Sequence, residues 1–249
     1  MDRAKYIHKN QDEAFSQYKH GISFQKDIEK IYEENSYKLR QPDLLGKTVK
    51  ITNKQFPEIY RLMSEMAKND NMECPPVYVY EDYYYGAESY GISKPWIEIS
   101  AKTIQDFSEN ELKFVLAREF YKIKDGVTKQ RTMMETYFNG MRLVAPNEFE
   151  EISKFAFYSW YRLTNFTADN YGYLTCGSIK NSINAVLKMV LNSGVLASQT
   201  DVKEFIGQAS EINMLDDDTS NYTKADESVP YAPHRIQNLL AFAVSERNM

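Results

Sequence analysis

Three charged residues that could do chemistry stand close together in Leu116-Ala117-Arg118-Glu119-Phe120-Tyr121-Lys122-Ile123-Lys124-Asp125-Gly126. On a helix, Arg118 and Lys122 are four residues apart and share a face, with Glu119 beside the first. A carboxylate between two cations can act as a general base, with one cation holding a developing anion. A solvated helix face gives the same pattern by chance, so the surroundings decide what the trio means.

The trio has a helix to sit on. Ser108-Glu109-Asn110-Glu111 is a capping box, in which Ser108 caps the helix start and Glu111 reaches back to it. It opens a helix over roughly 109–125, and Gly126 closes it. Upstream, residues 11–36 carry Phe15, Tyr18, Ile22, Ile28 and Ile31 at loose helical spacing, which predicts one or two amphipathic helices. Pro42 and Gly46 punctuate, and Lys47–Ile51 reads as a short strand. Phe56, Ile59, Tyr60, Leu62, Met63 and Met66 predict a helix over residues 52–68. Pro75-Pro76 precedes the strand Val77–Tyr80. Glu88–Gly91 and Trp96–Ser100 read as two more strands around a turn at Ser93-Lys94-Pro95. Beyond residue 128 the pattern is helical, with helices expected near 128–142, 147–176 with a break, 178–192, 200–212 and 233–245. Asp216–Asn221 reads as a solvated acidic loop, since it lacks the glycine and closing glutamate of a calcium loop. This order predicts an α+β domain with a small sheet beside a helical body.

Composition narrows the function. Hydrophobic residues make up 43% of the 249 positions, enough for a full core. Net charge is −5 with no basic block, so nucleic acid is not expected as a partner. No apolar run reaches the roughly 18 residues of a membrane span and no secretion signal opens the chain, so a soluble, cytoplasmic protein is expected. The two cysteines, Cys74 and Cys176, suit a reducing compartment. His8, His20 and His234 have no ligand spacing. Phe120 and Tyr121 read as packing, Lys124-Asp125 as a charged helix end, and Tyr83-Tyr84-Tyr85 as exposed loop tyrosines or an aromatic peptide-binding patch. No sequence feature names a partner or an oligomeric state.

Several short phrases, in order, resemble the HtpX-like gluzincin metallopeptidases, the family that also holds the CAAX prenyl proteases. They are Lys47–Ile51 with Gln55-Phe56-Pro57-Glu58-Ile59-Tyr60, then Pro75-Pro76-Val77-Tyr78-Val79, then Gly86–Gly91, then Trp96–Ser100. Glu111–Ala117 then resembles the lead into the family's H-E-x-x-H helix, and Ile123 and Gly126 fit its trailing positions. Asn165-Phe166-Thr167-Ala168-Asp169-Asn170-Tyr171-Gly172 is similar to the family's E-F-x-A-D-x-x-G. Val229-Pro230, Arg235-Ile236 and Leu239 resemble its H-P-x-x-x-x-R-I-x-x-L, with valine in place of the histidine. The resemblance covers roughly residues 44–245. It implies an N-terminal helical extension, residues 1–43, and a zincin-like (gluzincin) domain, residues 44–249.

In H-E-x-x-H, two histidines at i and i+4 grip zinc and the glutamate activates water. The resemblance places Arg118 and Lys122 at the histidine positions, Asn165 at the third zinc ligand, Glu119 at the general base, and Asp169 at the aspartate that supports a ligand. Arginine does not deprotonate, lysine would have to lose its proton, and asparagine is a poor zinc ligand. The expected cofactor is therefore none, with zinc absent and no metal bound. The expected function is that of a pseudo-peptidase, binding a peptide or protein partner in the former cleft. The edge Ala87, Glu88, Ser89, Tyr90 and Gly91 would hold an extended peptide through main-chain hydrogen bonds. The alternative is zinc-independent chemistry with Glu119 as base. A third reading is a structural subunit with a plugged cleft. A buried aspartate needs a partner, and the planar fork of Arg118 suits Asp169. A direct Arg118–Asp169 contact is thus expected, with Lys122 nearer Glu119 or Asn165.

Overall fold

The computed structural model describes residues 1–19, 25–144 and 148–245, without the side chains of 141–144 and 148–153. Ile22 and His20, named in the sequence reading, and position 147, where a helix is expected to start, lie outside the described residues.

A single 3-10 turn, Arg3–Lys5, leads into α1 (Gln11–Lys19), α2 (Gln25–Ile31), one π-helical turn (Tyr32–Ser36) and α3 (Tyr37–Lys47). Then follow β1 (Val49–Lys50), α4 (Pro57–Asn69), β2 (Val77–Tyr80), β3 (Ala87–Tyr90), β4 (Trp96–Ser100) and α5 (Ala101–Asp106). The helical body is α6 (Glu109–Lys124), α7 (Val127–Val144), α8 (Glu148–Cys176), α9 (Ile179–Leu191), α10 (Gly194–Gln199), α11 (Val202–Met214), α12 (Asp218–Asp226) and α13 (Ala232–Ala243). The mostly helical α+β architecture agrees with the sequence reading.

The four described strands form one sheet in the order β1-β2-β4-β3. β2 and β4 are parallel, while β1 and β3 pair antiparallel at the two edges. Alternation sorts the side chains. Val77, Val79, Ile97 and Ile99 enter the main core, while Tyr78 and Trp96 turn to a second cluster with Leu44 of α3. The sheet is therefore covered on both faces.

α6 is the central helix and runs against α8. Its start is the expected capping box: Glu111 N donates to Ser108 Oγ at 3.4 Å and Ser108 N donates to Glu111 Oε2 at 2.7 Å. Gly126 follows with φ +74°, a conformation that favours glycine after a helix end. The α6–α8 approach is close at Gly172. A Cβ there would stand 2.8 Å from the Phe114 ring and 3.0 Å from its carbonyl oxygen.

Four local expectations are corrected. Pro42 and Gly46 lie inside α3, which runs on to Lys47. The helix expected over 52–68 begins only at Pro57, which suits a first helical position because it has no N–H to leave unbonded. α8 is continuous across its described length, with no break. The Asp216–Asn221 segment is not all loop: Asp217 accepts from Ser220 N and caps α12.

Candidate functional site

Apolar residues set the face on which the charges sit. Phe114, Val115, Leu116, Ala117 and Phe120 fill the core and fix the rotation of α6. That rotation turns Arg118, Glu119 and Lys122 inward, at 6%, 1% and 6% exposure. On α8, Asn165 and Asp169 stand four residues apart and are equally buried. α13 brings Arg235 to the same point, through the apolar anchors Ile236, Leu239 and Phe242.

Asp169 is the hub. Arg118 Nε stands 2.6 Å from its Oδ1. That N–H has no hydrogen-bond acceptor among the described residues, so the contact is an ion pair rather than an aligned hydrogen bond. Arg235 makes the fork: Nε donates to Oδ2 at 2.9 Å and Nη2 to Oδ1 at 2.8 Å. The expected Arg118–Asp169 contact is present, but the bidentate geometry belongs to Arg235. Arg118 Nη2 also donates to Asn165 Oδ1 at 3.3 Å, and Asn165 Nδ2 donates to the Tyr161 carbonyl at 2.9 Å.

Burial alone would raise the Asp169 pKa, yet Arg235 and Arg118 hold it below its ordinary value. Burial, and then the charge of Arg235, pull Arg118 down from its ordinary value, with Asp169 and Glu119 opposing. Arg235 is raised, because Asp169 outweighs the effect of burial. Arginine begins so far above neutral that both guanidinium groups stay charged.

Glu119 forms the second half of the cluster. Lys122 Nζ donates to Oε1 at 2.8 Å. Ser89 gives Oε2 both its backbone N–H and its hydroxyl, each at 2.9 Å, and its Oγ lies 2.7 Å from Thr128 Oγ1. Glu119 is 1% exposed and both of its oxygens already accept hydrogen bonds, which leaves no approach path for a substrate proton.

The same contacts bear on the expected peptide edge Ala87, Glu88, Ser89, Tyr90 and Gly91. β3 is an edge strand, but its outward groups are already taken at the centre. Ser89 N bonds Glu119, the Ser89 carbonyl accepts from Arg131 Nη2 at 2.8 Å, and Gly91 N donates to Thr132 Oγ1 at 3.2 Å. Glu88 is ion-paired to Arg131, and Tyr90 OH donates to Glu88 Oε2. An incoming peptide finds no free main-chain partner at Ser89.

The residues present do not fit zinc. The three positions expected to correspond to ligands carry two cations and an amide, and these are bonded to one another or to neighbouring groups. Among the described residues no group of three His, Cys, Asp or Glu could hold a metal ion.

Other candidates separate. His8 stacks on Phe166, and His234 lies 3.1 Å from Asn213. Tyr83 and Tyr84 are exposed, while Tyr85 is buried and donates to Asp106. Phe120 and Tyr121 are fully buried packing residues. Lys124-Asp125 is more than a charged helix end. Lys124 Nζ reaches Asp70 at 2.9 Å, and Asp125 accepts from Arg3 Nε at 2.7 Å and from Gln11 Nε2 at 3.1 Å. Arg3 and Gln11 thereby hold the N-terminal segment at the end of α6, Thr167 and Asn170 of α8 donate to Gln11 and to the Tyr6 carbonyl, and Tyr6 and Tyr18 reach the main core. Cys74 and Cys176 are free thiols.

Sequence reasoning missed two participants. Arg235 was visible only as part of the R-I-x-x-L phrase, with no sign that it meets Asp169. Ser89 is expected only as part of the β3 edge; its bond to Glu119 has no sequence signal, because it depends on a β3–α6 contact across 30 positions.

The chain is 24% identical over 174 residues to Plastoglobule-localized metallopeptidase 48, chloroplastic, of Arabidopsis thaliana, covering 66% of this chain and 49% of that protein. The chain thus spans about half the length of that relative. The likeness supports a metallopeptidase-like relationship and nothing narrower. No family model and no solved structure matches the chain. No helix among the described residues is long and apolar enough to cross a membrane.

Proposed function

We propose that the chain is a zincin-like, HtpX-like protein that no longer hydrolyses peptides, its metal position having been taken over by internal ion pairs. One observation carries this reading. Arg118, Glu119, Lys122, Asn165, Asp169 and Arg235 are all buried, and each is bonded to other members of the set or to adjacent protein groups. A hydrolytic site needs an open position for water and substrate, whereas this arrangement neutralises its own charges. The resemblance and the distant metallopeptidase likeness support the placement.

The reading in which Glu119 serves as a metal-free base draws no support, since Lys122 and Ser89 occupy both of its oxygens. A role in binding a protein or peptide partner is retained in the proposal, at surfaces other than the centre of β3. The cytoplasmic location is carried by the sequence expectation alone; the relative's own name places that protein in the chloroplast.

The test is hydrolysis of a fluorescently labelled unfolded protein in buffer containing zinc, comparing the native chain with Glu119→Gln. Both should stay at the buffer background. Hydrolysis by the native chain that disappears in Glu119→Gln overturns the proposal.

A further inference from the structure

A second feature lies away from the charged cluster and shares none of its residues. A cavity of about 470 Å³ opens between α3, the segment before β2 and the β3–β4 turn. Such a volume lies within the range of small-molecule pockets, which are mostly apolar with a few polar groups. Its wall is built from Tyr78 and Trp96 on the outer sheet face and from Tyr37 and Leu44 of α3. Tyr37 and Trp96 hold their ring centroids 6.0 Å apart at 46°. These aromatic surfaces are fixed by the sheet, which pre-orders the wall.

The far side is held as well. Ser93 is hydrogen-bonded to Glu33 of the π-helical turn, and Arg40 of α3 donates to Glu98 of β4 at 2.6 Å. The cavity therefore has walls tied to one another from three separate stretches of chain.

Its charged lining is sparse. Lys94 is the one cation lining it and Glu73 the one acid. Both are exposed, and neither forms an ion pair with another described residue. Charged side chains elsewhere near this sheet face are paired, as Arg40–Glu98 and Arg131–Glu88 are. An available ammonium at the mouth of an aromatic cavity suits the charged end of an amphipathic anion, while Glu73 disfavours a second negative group.

We infer that this cavity binds a small amphipathic monoanion, an aromatic or aliphatic body seated against Tyr37, Tyr78 and Trp96 with its carboxylate or sulfonate at Lys94.

The probes are 8-anilinonaphthalene-1-sulfonate, an aromatic monoanion, and N-phenyl-1-naphthylamine, its uncharged counterpart. Both gain fluorescence on leaving water, and each is titrated into the intact chain. The anion should saturate a single site. Lys94→Glu should weaken the anion by roughly fivefold or more, the scale of one exposed charge contact, and leave the neutral probe unchanged. Gln41→Phe, which puts a ring into the cavity from an exposed position on α3, should weaken both by about tenfold. The thermal transition of each variant identifies any loss of folding, and Lys94→Gln gives a second, milder removal of charge. Non-saturating binding, an anion affinity unmoved by either Lys94 variant, or affinities unmoved by Gln41→Phe would each overturn the proposal. None of these results bears on whether the chain hydrolyses peptides.

Discussion

α6 carries two groups of charges, and they are held in opposite ways. At Arg118, Glu119 and Lys122 the side chains are 7%, 1% and 8% exposed and face other buried ionic or polar groups. One turn later, Lys124 and Asp125 are 20% and 16% exposed and tie the N-terminal segment down near the surface. The first group is isolated from water, so each charge depends on a specific partner. The second has water as an alternative partner. The same residue types on the same helix therefore differ in what their loss should cost, and that difference is measurable.

The largest effect belongs to the hub. Asp169→Ala leaves Arg118 and Arg235 as buried cations without a counter-charge, and should destabilise by roughly 3–5 kcal/mol in urea unfolding. A loss below about 1 kcal/mol would show that water reaches the cluster and would erase the contrast with Lys124-Asp125. The pH dependence gives a second check. The folded Asp169 pKa lies below its ordinary value, so its contribution is fully present above the unfolded aspartate pKa of about 3.9 and is lost as pH falls through the lower folded value. Relative to the native chain, Asp169→Asn should show a shallower fall in stability at the acid end. Equal acid slopes in the two proteins would remove Asp169 from the account.

Ser89→Ala comes next. It removes the hydroxyl bond to Glu119 but keeps the backbone N–H bond, so the carboxylate loses one of its three donors. The expected loss is about 1–2 kcal/mol. The same variant should speed amide exchange at residue 89, because the Glu119 acceptor loses part of its anchorage. Unchanged exchange and stability would mean that Lys122 and the Ser89 N–H suffice to hold the carboxylate.

Lys124→Ala should cost about 1 kcal/mol, less than Arg118→Ala but more than an ordinary surface change. Its partner Asp70 has a side chain only 2% exposed, yet keeps the Tyr171 hydroxyl as a donor. Thermal melting of the two variants side by side ranks them, and the reverse ranking would contradict the burial argument.

These contrasts also show how far the sequence reaches. The capping box at Ser108, the Pro75-Pro76 pair before Val77–Tyr80 and the stop at Gly126 are local signals, and the elements formed where the residues called for them. The Arg118–Asp169 contact followed from the resemblance, which sets the two positions side by side, joined to the idea that a buried carboxylate needs a cation. The same idea could not choose between Arg118 and Arg235, because the fork depends on where α13 crosses α8. The bonds on the β3 edge were illegible for a related reason: Ser89 and Gly91 read as an open strand until α7 supplies Arg131 and Thr132. Pro42 misled because its place inside α3 is set by how Leu44 and Tyr37 pack under the sheet, not by proline's local preference.

The smallest effect should come from Arg3, and it tests the exposed side of the comparison most directly. Arg3 bonds Asp12 and Asp125, but its side chain is 41% exposed and that of Asp12 is 68% exposed. Its pKa is raised, first by the hydrogen bond to Asp12 and against the effect of burial, yet this shift is largely screened by water. Arg3→Ala should therefore cost less than about 1 kcal/mol, and raising the salt to about 1 M, where the screening length is about 3 Å, should abolish most of that difference. Asp169→Ala should keep its deficit under the same salt, because buried pairs are screened far less. Gln11 still bonds Tyr121 and Asp125 without Arg3, so amide protection in 11–19 should fall only slightly. A large, salt-insensitive loss in Arg3→Ala would place the N-terminal contacts in the same class as the buried cluster, and the two charge groups of α6 would then differ in exposure but not in energetic role.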